Sequence, residues 1–458
     1  MNVDFLIIGA GLAGIGAAVH FKNKYPNKTF AIVEKRSSIG GTWDVFKYPG
    51  VRSDSDMFTL GYSFKLWTGN FFATGEEINN YIKETANEYN ITEHIHFNTT
   101  ANSLEWNNDI WTLYTNRETY NAKFVLCATG YINHEQSYSP RFKNLDVFTG
   151  SIVHTQHWQD IDYKEKNIAV IGSGATAYTL IPALVKQSKH VTMIQRSPSY
   201  IRLEDSEPTW LDRTQPREQS AQQQYQYYTV CKEHPAGMKR KILNEVKRRL
   251  DPAVDIKHFT PDYMPWDRRI CTIVDNDFIN AVNSGSVSVE TDTIEEFTAT
   301  GIQLVSGKLV SADIVVLATG FETRMMGNVV VKVNGIDTKI AERKNYKGVM
   351  LEDIPNFGFI FGYNGMSWTL KLDLALTYFD RVFEHMDKNN YTVFTPIDTE
   401  QIPGDTGFLD SKINFYLRNE TQFPRQTSSL PWMNTNNYIT DQAVLTHDAV
   451  DDGILQWK

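Results

Sequence analysis

Val3-Asp4-Phe5-Leu6-Ile7-Ile8-Gly9-Ala10-Gly11-Leu12-Ala13-Gly14 is an apolar run feeding a glycine-rich turn, with Ala17 and Ala18 just beyond it and Glu34 20 positions after Gly14. The apolar run suits a buried strand, and the small residues suit a helix packed closely on it. Glycines at 9, 11 and 14 let the backbone turn tightly, approach a pyrophosphate and bring helix onto strand. The helix amino terminus supplies unpaired N–H groups and the positive end of a dipole. An acid at 34 stands where a ribose hydroxyl needs an acceptor. The pattern predicts a dinucleotide-binding βαβ unit at the start of the chain.

A second unit begins at Ile168–Ile171 and continues as Gly172-Ser173-Gly174-Ala175-Thr176-Ala177. Ala177 replaces the third glycine, and its methyl is small enough for the same close packing. The strand that follows, Val191 to Gln195, ends in Arg196 instead of an acid. A carboxylate there would repel a 2′-phosphate, whereas a guanidinium binds it. The first site is therefore expected to take FAD and the second NADPH. Each unit also has a late apolar strand ending alike, in Ala128-Thr129-Gly130-Tyr131 and Ala318-Thr319-Gly320-Phe321.

This repetition predicts an α/β protein of two doubly wound, Rossmann-like domains, the NADP domain inserted in the FAD domain. The expected division is 1–150 for the first part of the FAD domain, 151–324 for the NADP domain and 325–458 for the return and tail. Phe357 to Phe361 is expected as a returning strand and Leu370 to Met386 as a helix. Trp106 to Thr115 alternates as strands of a small antiparallel crossover sheet would. Pro182 is expected to kink the helix after the second glycine turn. Residues 203–265 read as helices inserted in the nucleotide domain. There Ile242, Val246 and Leu250 form a buried stripe, with Lys239, Lys241, Lys247 and Arg248 in solvent.

The 458 residues suffice for two or three domains, and 41% apolar content is that of a globular chain. A net charge of −9 gives no field to attract nucleic acid, so small molecules are the expected partners. Cys127, Cys231 and Cys271 are dispersed, which fits reduced thiols in a cytoplasmic protein and supplies no CxxC dithiol. The chain runs from Met1 directly into a strand, so no export signal is expected, and no 18-residue apolar run reads as a membrane span.

Further motifs carry chemistry. Gly40-Gly41-Thr42-Trp43 and Tyr48-Pro49-Gly50-Val51-Arg52-Ser53-Asp54 read either as a turn-rich loop with a core Trp or as backbone brought against a flavin. Phe148-Thr149-Gly150-Ser151-Ile152-Val153-His154-Thr155-Gln156-His157-Trp158 holds two histidines with no cysteine or carboxylate cluster to complete a metal shell. No metal site is expected. With Glu34, GGTW and YPGVRSDSD, the chain resembles the class B flavoprotein monooxygenases. Phe148, Gly150, His154 and Trp158 match the FxGxxxHxxxW fingerprint of the Baeyer-Villiger type, although Gln159 follows where that family has Pro or Asp. Met264-Pro265-Trp266-Asp267-Arg268-Arg269-Ile270-Cys271 is similar to the family's active-site arginine segment. The stretch from Pro355 to Lys371 resembles the flavin-closing segment of its ethionamide-activating branch.

The resemblance implies Arg269 as the catalytic cation, held by Asp54, with Gly41, Thr42 and Trp43 at the flavin. Arg268, adjacent, is expected to add a contact to the NADPH 2′-phosphate. It further implies that NADPH reduces FAD, that O2 adds at flavin C4a, and that the peroxyflavin converts a ketone to an ester or lactone, with sulfides as further substrates. A flavin-containing S- or N-oxygenase is the rival within the class, and a non-catalytic flavin-binding redox sensor the rival outside it. A disulfide reductase would need the dithiol that the cysteines do not provide.

Overall fold

The computed structural model describes residues 1–212, 214–409 and 412–458. Strand β1 (Asn2–Ile8) passes through the Gly9–Gly11 turn into helix α1 (Leu12–Lys24) and returns in β2 (Phe30–Val33). After helix α2 (Gly75–Glu88) come β3 (Ile95–His96), β4 (Ala101–Asn107), β5 (Ile110–Thr115), β6 (Thr119–Cys127) and β7 (Ile132–Ser137). A second lobe follows with β8 (Ser151–His154), β9 (Asn167–Ile171), helix α3 (Ala175–Leu184), β10 (His190–Gln195) and β11 (Ile201–Glu204). Helices α4 (Pro216–Glu233) and α5 (Pro235–Arg249) precede β12 (Cys271–Val274) and β13 (Val287–Thr291). The lobe closes with β14 (Ile294–Thr298), β15 (Gly301–Leu304), β16 (Leu309–Ser311), β17 (Ile314–Leu317) and β18 (Phe321–Thr323).

The first sheet has the order β4-β5-β6-β1-β2-β3, extended beyond β4 by Val330–Val333 and Ile336–Thr338. The second, β13-β10-β9-β17-β8, is parallel throughout. Both are Rossmann-type sheets buried on both faces, which explains the unbroken apolar runs. Phe5 and Ile7 of β1 enter one core with α1 and helix α6 (Trp368–Asn389), while Leu6 and Ile8 enter another with Trp106 and Trp111. Ile168 and Val170 of β9 likewise face α3, while Ala169 and Ile171 face the antiparallel β14–β16 cover.

The chain returns to the first sheet through Phe357–Phe359, which pairs in parallel with Val125–Cys127 of β6. Trp106 to Thr115 does form antiparallel strands, but they are continuous with the main sheet instead of a separate small one. The reason is the length of β6: Thr119–Ala122 pairs with β5, and its later residues pair with β1 and Phe357–Phe359. Pro182 falls in the last turn of α3, and the helix ends two residues later. Ile242 and Val246 on α5 and Leu250 just after it are buried. Lys239 departs from the expected solvent position, because its ammonium is half-buried and donates to the Pro261 carbonyl at 2.7 Å. Among the described residues no helix is long and apolar enough to cross a membrane.

Candidate active site

The first glycine turn is held by backbone contact. Gly9 has φ +107°, and a Cβ there would lie 2.8 Å from the Ala128 carbonyl oxygen at the end of β6. At Gly14 a Cβ would lie 1.9 Å from the Gly9 oxygen, so α1 crosses the turn at a distance only glycine permits. Gly11 caps α1 without any side-chain hydrogen bond, whereas α2 is closed by a full capping box between Thr74 and Glu77. The N–H groups of α1 are thus left for an external anion, which fits a pyrophosphate. Glu34 is 7% exposed; its Oε2 accepts from Ala10 N at 2.7 Å and its Oε1 from Arg36 N at 2.8 Å. Burial pushes its pKa up, and the two N–H groups oppose that rise. Each oxygen keeps a lone pair for a ribose hydroxyl.

Gly41 lies against Gly11 and, at φ +54°, opens the short helix Thr42–Val45 that carries Thr42 and Trp43. Thr42 Oγ1 is 3.4 Å from His134 Nε2, and Trp43 packs partly buried on the first core.

The second turn repeats the geometry more loosely. Gly172 has φ +131°, and its Cβ would lie 2.2 Å from the Ala318 oxygen. Gly174 caps α3 without a side-chain bond, and a methyl added to it would have nothing within 4 Å, while Ala177 is fully buried. Ser173 Oγ donates to the Ser197 carbonyl at 3.0 Å, tying the turn to the end of β10, where Arg196 is exposed without a protein partner among the described residues. Arg268 reaches the same place. Its Nη1 is 3.4 Å from Ser197 Oγ, its guanidinium lies over the Tyr263 ring at 4.7 Å, and its buried Nε has no protein acceptor among the described residues. Two cations beside an uncapped helix fit a phosphate-bearing nucleotide.

Asp54 and Arg269, 215 positions apart in sequence, meet as a bidentate pair: Nε donates to Oδ2 at 2.9 Å and Nη2 to Oδ1 at 2.6 Å. The Asp54 charge raises the Arg269 pKa above its ordinary value, against the effect of burial. Arg269 lies deep among protein atoms, yet 42% of its side chain is accessible because it faces a cleft. The cation is fixed and reachable from solvent. The cleft opens to solvent between the inserted helix α4 and Asn364–Met366.

Among the described residues no hydrogen bond or ring contact joins the fingerprint segment to that pair. Phe148 packs against Phe297, and a Cβ on Gly150 would strike the Asp313 carbonyl oxygen at 2.3 Å. His154 Nε2 lies 3.1 Å from the Tyr138 carbonyl oxygen, its Nδ1 accepts from Gln156 N, and Trp158 packs on the core of the second lobe. Burial lowers the His154 pKa. Beside it β7 and β18 pair antiparallel, joining the two Ala-Thr-Gly exits, with the Tyr131 and Phe321 rings 5.8 Å apart. The segment belongs to the junction of the lobes.

Arg202, Glu204 and Gln224 are absent from the motifs yet line the cleft beside Arg269, together with Asp56 and Trp266 from within the motifs. Arg217 pins α4 to the first lobe, donating to Thr59 O at 2.9 Å and to Asp373 Oδ2 at 2.6 Å. The available signal was the spacing of Ser220, Gln223, Gln224 and Tyr227, one face of a helix in polar residues.

The family model for pyridine nucleotide-disulphide oxidoreductases matches residues 6–241. The three cysteines of this chain are all buried and free. The chain is 42% identical to the putative FAD-containing monooxygenase MymA of Mycobacterium tuberculosis, covering 100% of this chain and 97% of that protein. It is 40% identical to the FAD-containing monooxygenase EthA of the same organism, covering 98% and 96%. In fold it is similar to an oxidized steroid monooxygenase bound to NADP, with TM-score 0.79 at 21% identity over 100% and 99% of the chains. An open cyclohexanone monooxygenase gives TM-score 0.78 at 19% identity over the same shares. With full-length identity of this order to named flavoenzymes and uncapped glycine turns in both lobes, the chain belongs to the FAD-containing monooxygenases.

Proposed function

We propose that the protein is an FAD-dependent, NADPH-consuming monooxygenase of Baeyer-Villiger type, placing one atom of O2 beside a ketone carbonyl to give an ester or lactone. Sulfide oxygenation is a second output of the same site. The observation that carries this reading is the Asp54–Arg269 pair facing the cleft between the lobes. The first turn would hold FAD and the second NADPH, and together these groups would supply reducing equivalents and activated oxygen.

This chain's residues then do the following. Uncapped N–H groups of α1 and α3 bind the pyrophosphates, and Glu34 accepts from a ribose hydroxyl. Arg196 and Arg268 bind the 2′-phosphate, which selects NADPH over NADH. Asp54 keeps the Arg269 guanidinium aimed at the cleft, where it stabilises the oxyanion as the carbonyl becomes tetrahedral. The overall balance is NADPH, a proton, O2 and ketone to NADP⁺, water and ester.

The test uses the purified yellow protein with NADPH, ¹⁸O-labelled O2 and a panel of ketones and sulfides, with products read by mass. The expected result is one labelled atom in an ester or lactone per NADPH consumed. NADPH oxidation with peroxide release and no labelled ester would overturn the ketone assignment, and label only in sulfoxides or N-oxides would replace it with the rival oxygenase.

A further inference from the structure

The wall of the cleft is polar for a site that accepts a carbonyl compound, and the inserted helix contributes one polar face to it. Ser220, Gln223, Gln224 and Tyr227 follow the i, i+3, i+4, i+7 spacing that brings side chains to one face of α4, and all four line the cleft. A helix ordinarily devotes such a face to apolar packing.

Gln224 is committed to the protein. Its Nε2 donates to Thr59 Oγ1 at 2.8 Å and to Asp56, and its Oε1 accepts from Ser367 N at 3.1 Å. Ser220 is not. The residue is 1% exposed, and its buried hydroxyl has no hydrogen-bond partner among the described residues. A buried polar group left so is costly, and it calls for a partner from outside the chain.

Strand β11 brings Arg202 and Glu204 to the same cleft, two positions apart and hence on one side of the strand. Arg202 stacks over the Tyr227 ring at 4.8 Å, and its Nε lies 2.8 Å from Glu204 Oε1. Its two Nη nitrogens meet no protein acceptor among the described residues. The donors of this subsite are thus a free guanidinium edge and a free hydroxyl. The neighbouring carboxylates Glu204 and Asp56 balance the guanidinium charge, so an added anion gains little there.

We infer that Ser220 and Arg202 form an oxygen-recognition subsite, and that the substrates are ketones or sulfides carrying a second, neutral oxygen function, a hydroxyl or carbonyl, in preference to plain hydrocarbon analogues. The inference rests on the proposed function for the reacting end and adds a requirement at the other. A site built to hydrogen-bond an oxygen discriminates strongly against the analogue that lacks it, because its own polar groups are then left unpaired.

The experiment compares a medium-chain aliphatic ketone, its terminal hydroxy derivative and the corresponding keto acid on the holoenzyme. Binding is read from quenching of tryptophan fluorescence, since Trp210 and Trp266 line the cleft, and turnover is read separately from products. The hydroxyketone is expected to bind about tenfold or more tighter than the plain ketone. Ser220→Ala should remove most of that preference and leave plain-ketone binding unchanged, Ser220→Thr should restore it, and Arg202→Met should abolish it. Equal affinity for ketone and hydroxyketone overturns the inference, as does an equal loss for both ligands in Ser220→Ala. Tightest binding of the keto acid overturns the neutral-oxygen assignment. Selective binding of the hydroxyketone without oxygenation of any ketone upholds the subsite and removes the proposed reaction instead.

Discussion

The two glycine turns share a pattern and differ in tightness. The first is closed by backbone on backbone at Gly9 and Gly14, faced by Gly41, and its acid is buried and hydrogen-bonded to the turn itself. The second has open space at Gly174, and its cation Arg196 is exposed and unpaired among the described residues. One turn is assembled before a ligand arrives, and the other leaves its charge to be satisfied by the ligand. The difference suits a nucleotide that stays bound in the first lobe and one that exchanges in the second, each cycle needing fresh reductant.

The largest effect that could break this contrast is at Gly14. Gly14→Ala forces a methyl onto the Gly9 carbonyl and should cost about 3 kcal/mol, with loss of bound flavin, read from the visible spectrum and the thermal midpoint. A variant with full flavin content would show that the first turn is no tighter than the second.

Next comes the residue that joins the lobes. Arg269→Ala should lower turnover about a hundredfold or more while flavin content is unchanged, because the cation is needed only as charge develops on oxygen. Rates equal to the parent enzyme would remove Arg269 from the chemistry.

His134, beside Thr42, sharpens the contrast through pH. Burial and then Arg36 and Lys35 lower its pKa to about 4. The folded protein therefore refuses a proton that the unfolded chain accepts. The His134 contribution to stability is fully present above about pH 6.5 and falls by about 3 kcal/mol as pH drops toward 4. Denaturant midpoints at about pH 7 and about pH 4.5 should differ less in His134→Gln than in the parent.

A smaller effect is expected at the open turn. Arg196→Gln should raise the KM for NADPH about tenfold, through loss of a charge-assisted hydrogen bond, and leave the KM for NADH unchanged. The smallest is Gly174→Ala: stability should stay within about 0.5 kcal/mol of the parent, since the added methyl meets no protein atom. Any deficit should appear in NADPH binding.

Much of this was legible because it is local. Strand, glycine turn, helix and the residue ending the next strand lie close to one another along the chain in each lobe, and their order alone announces both turns and the opposite charges that follow them. The returning strand and long helix near the carboxyl end were legible for the same reason. The cleft was not. Gln224 reads as a polar residue on a solvated helix until α4 is seen pinned to the first lobe by Arg217. Lys239 reads as surface until a loop brings the Pro261 carbonyl to it.

By itself, then, the sequence determined the two strand-turn-helix units and the kind of group each can hold, because the sterics of glycine and the charge at a strand end act between near neighbours. Only the tertiary structure decided that Asp54 and Arg269 meet, that the fingerprint histidine lies against the Tyr138 carbonyl, and that a polar helix face becomes the cleft wall. Those outcomes depend on which distant surfaces bury one another, and no short-range pattern in the chain encodes that choice.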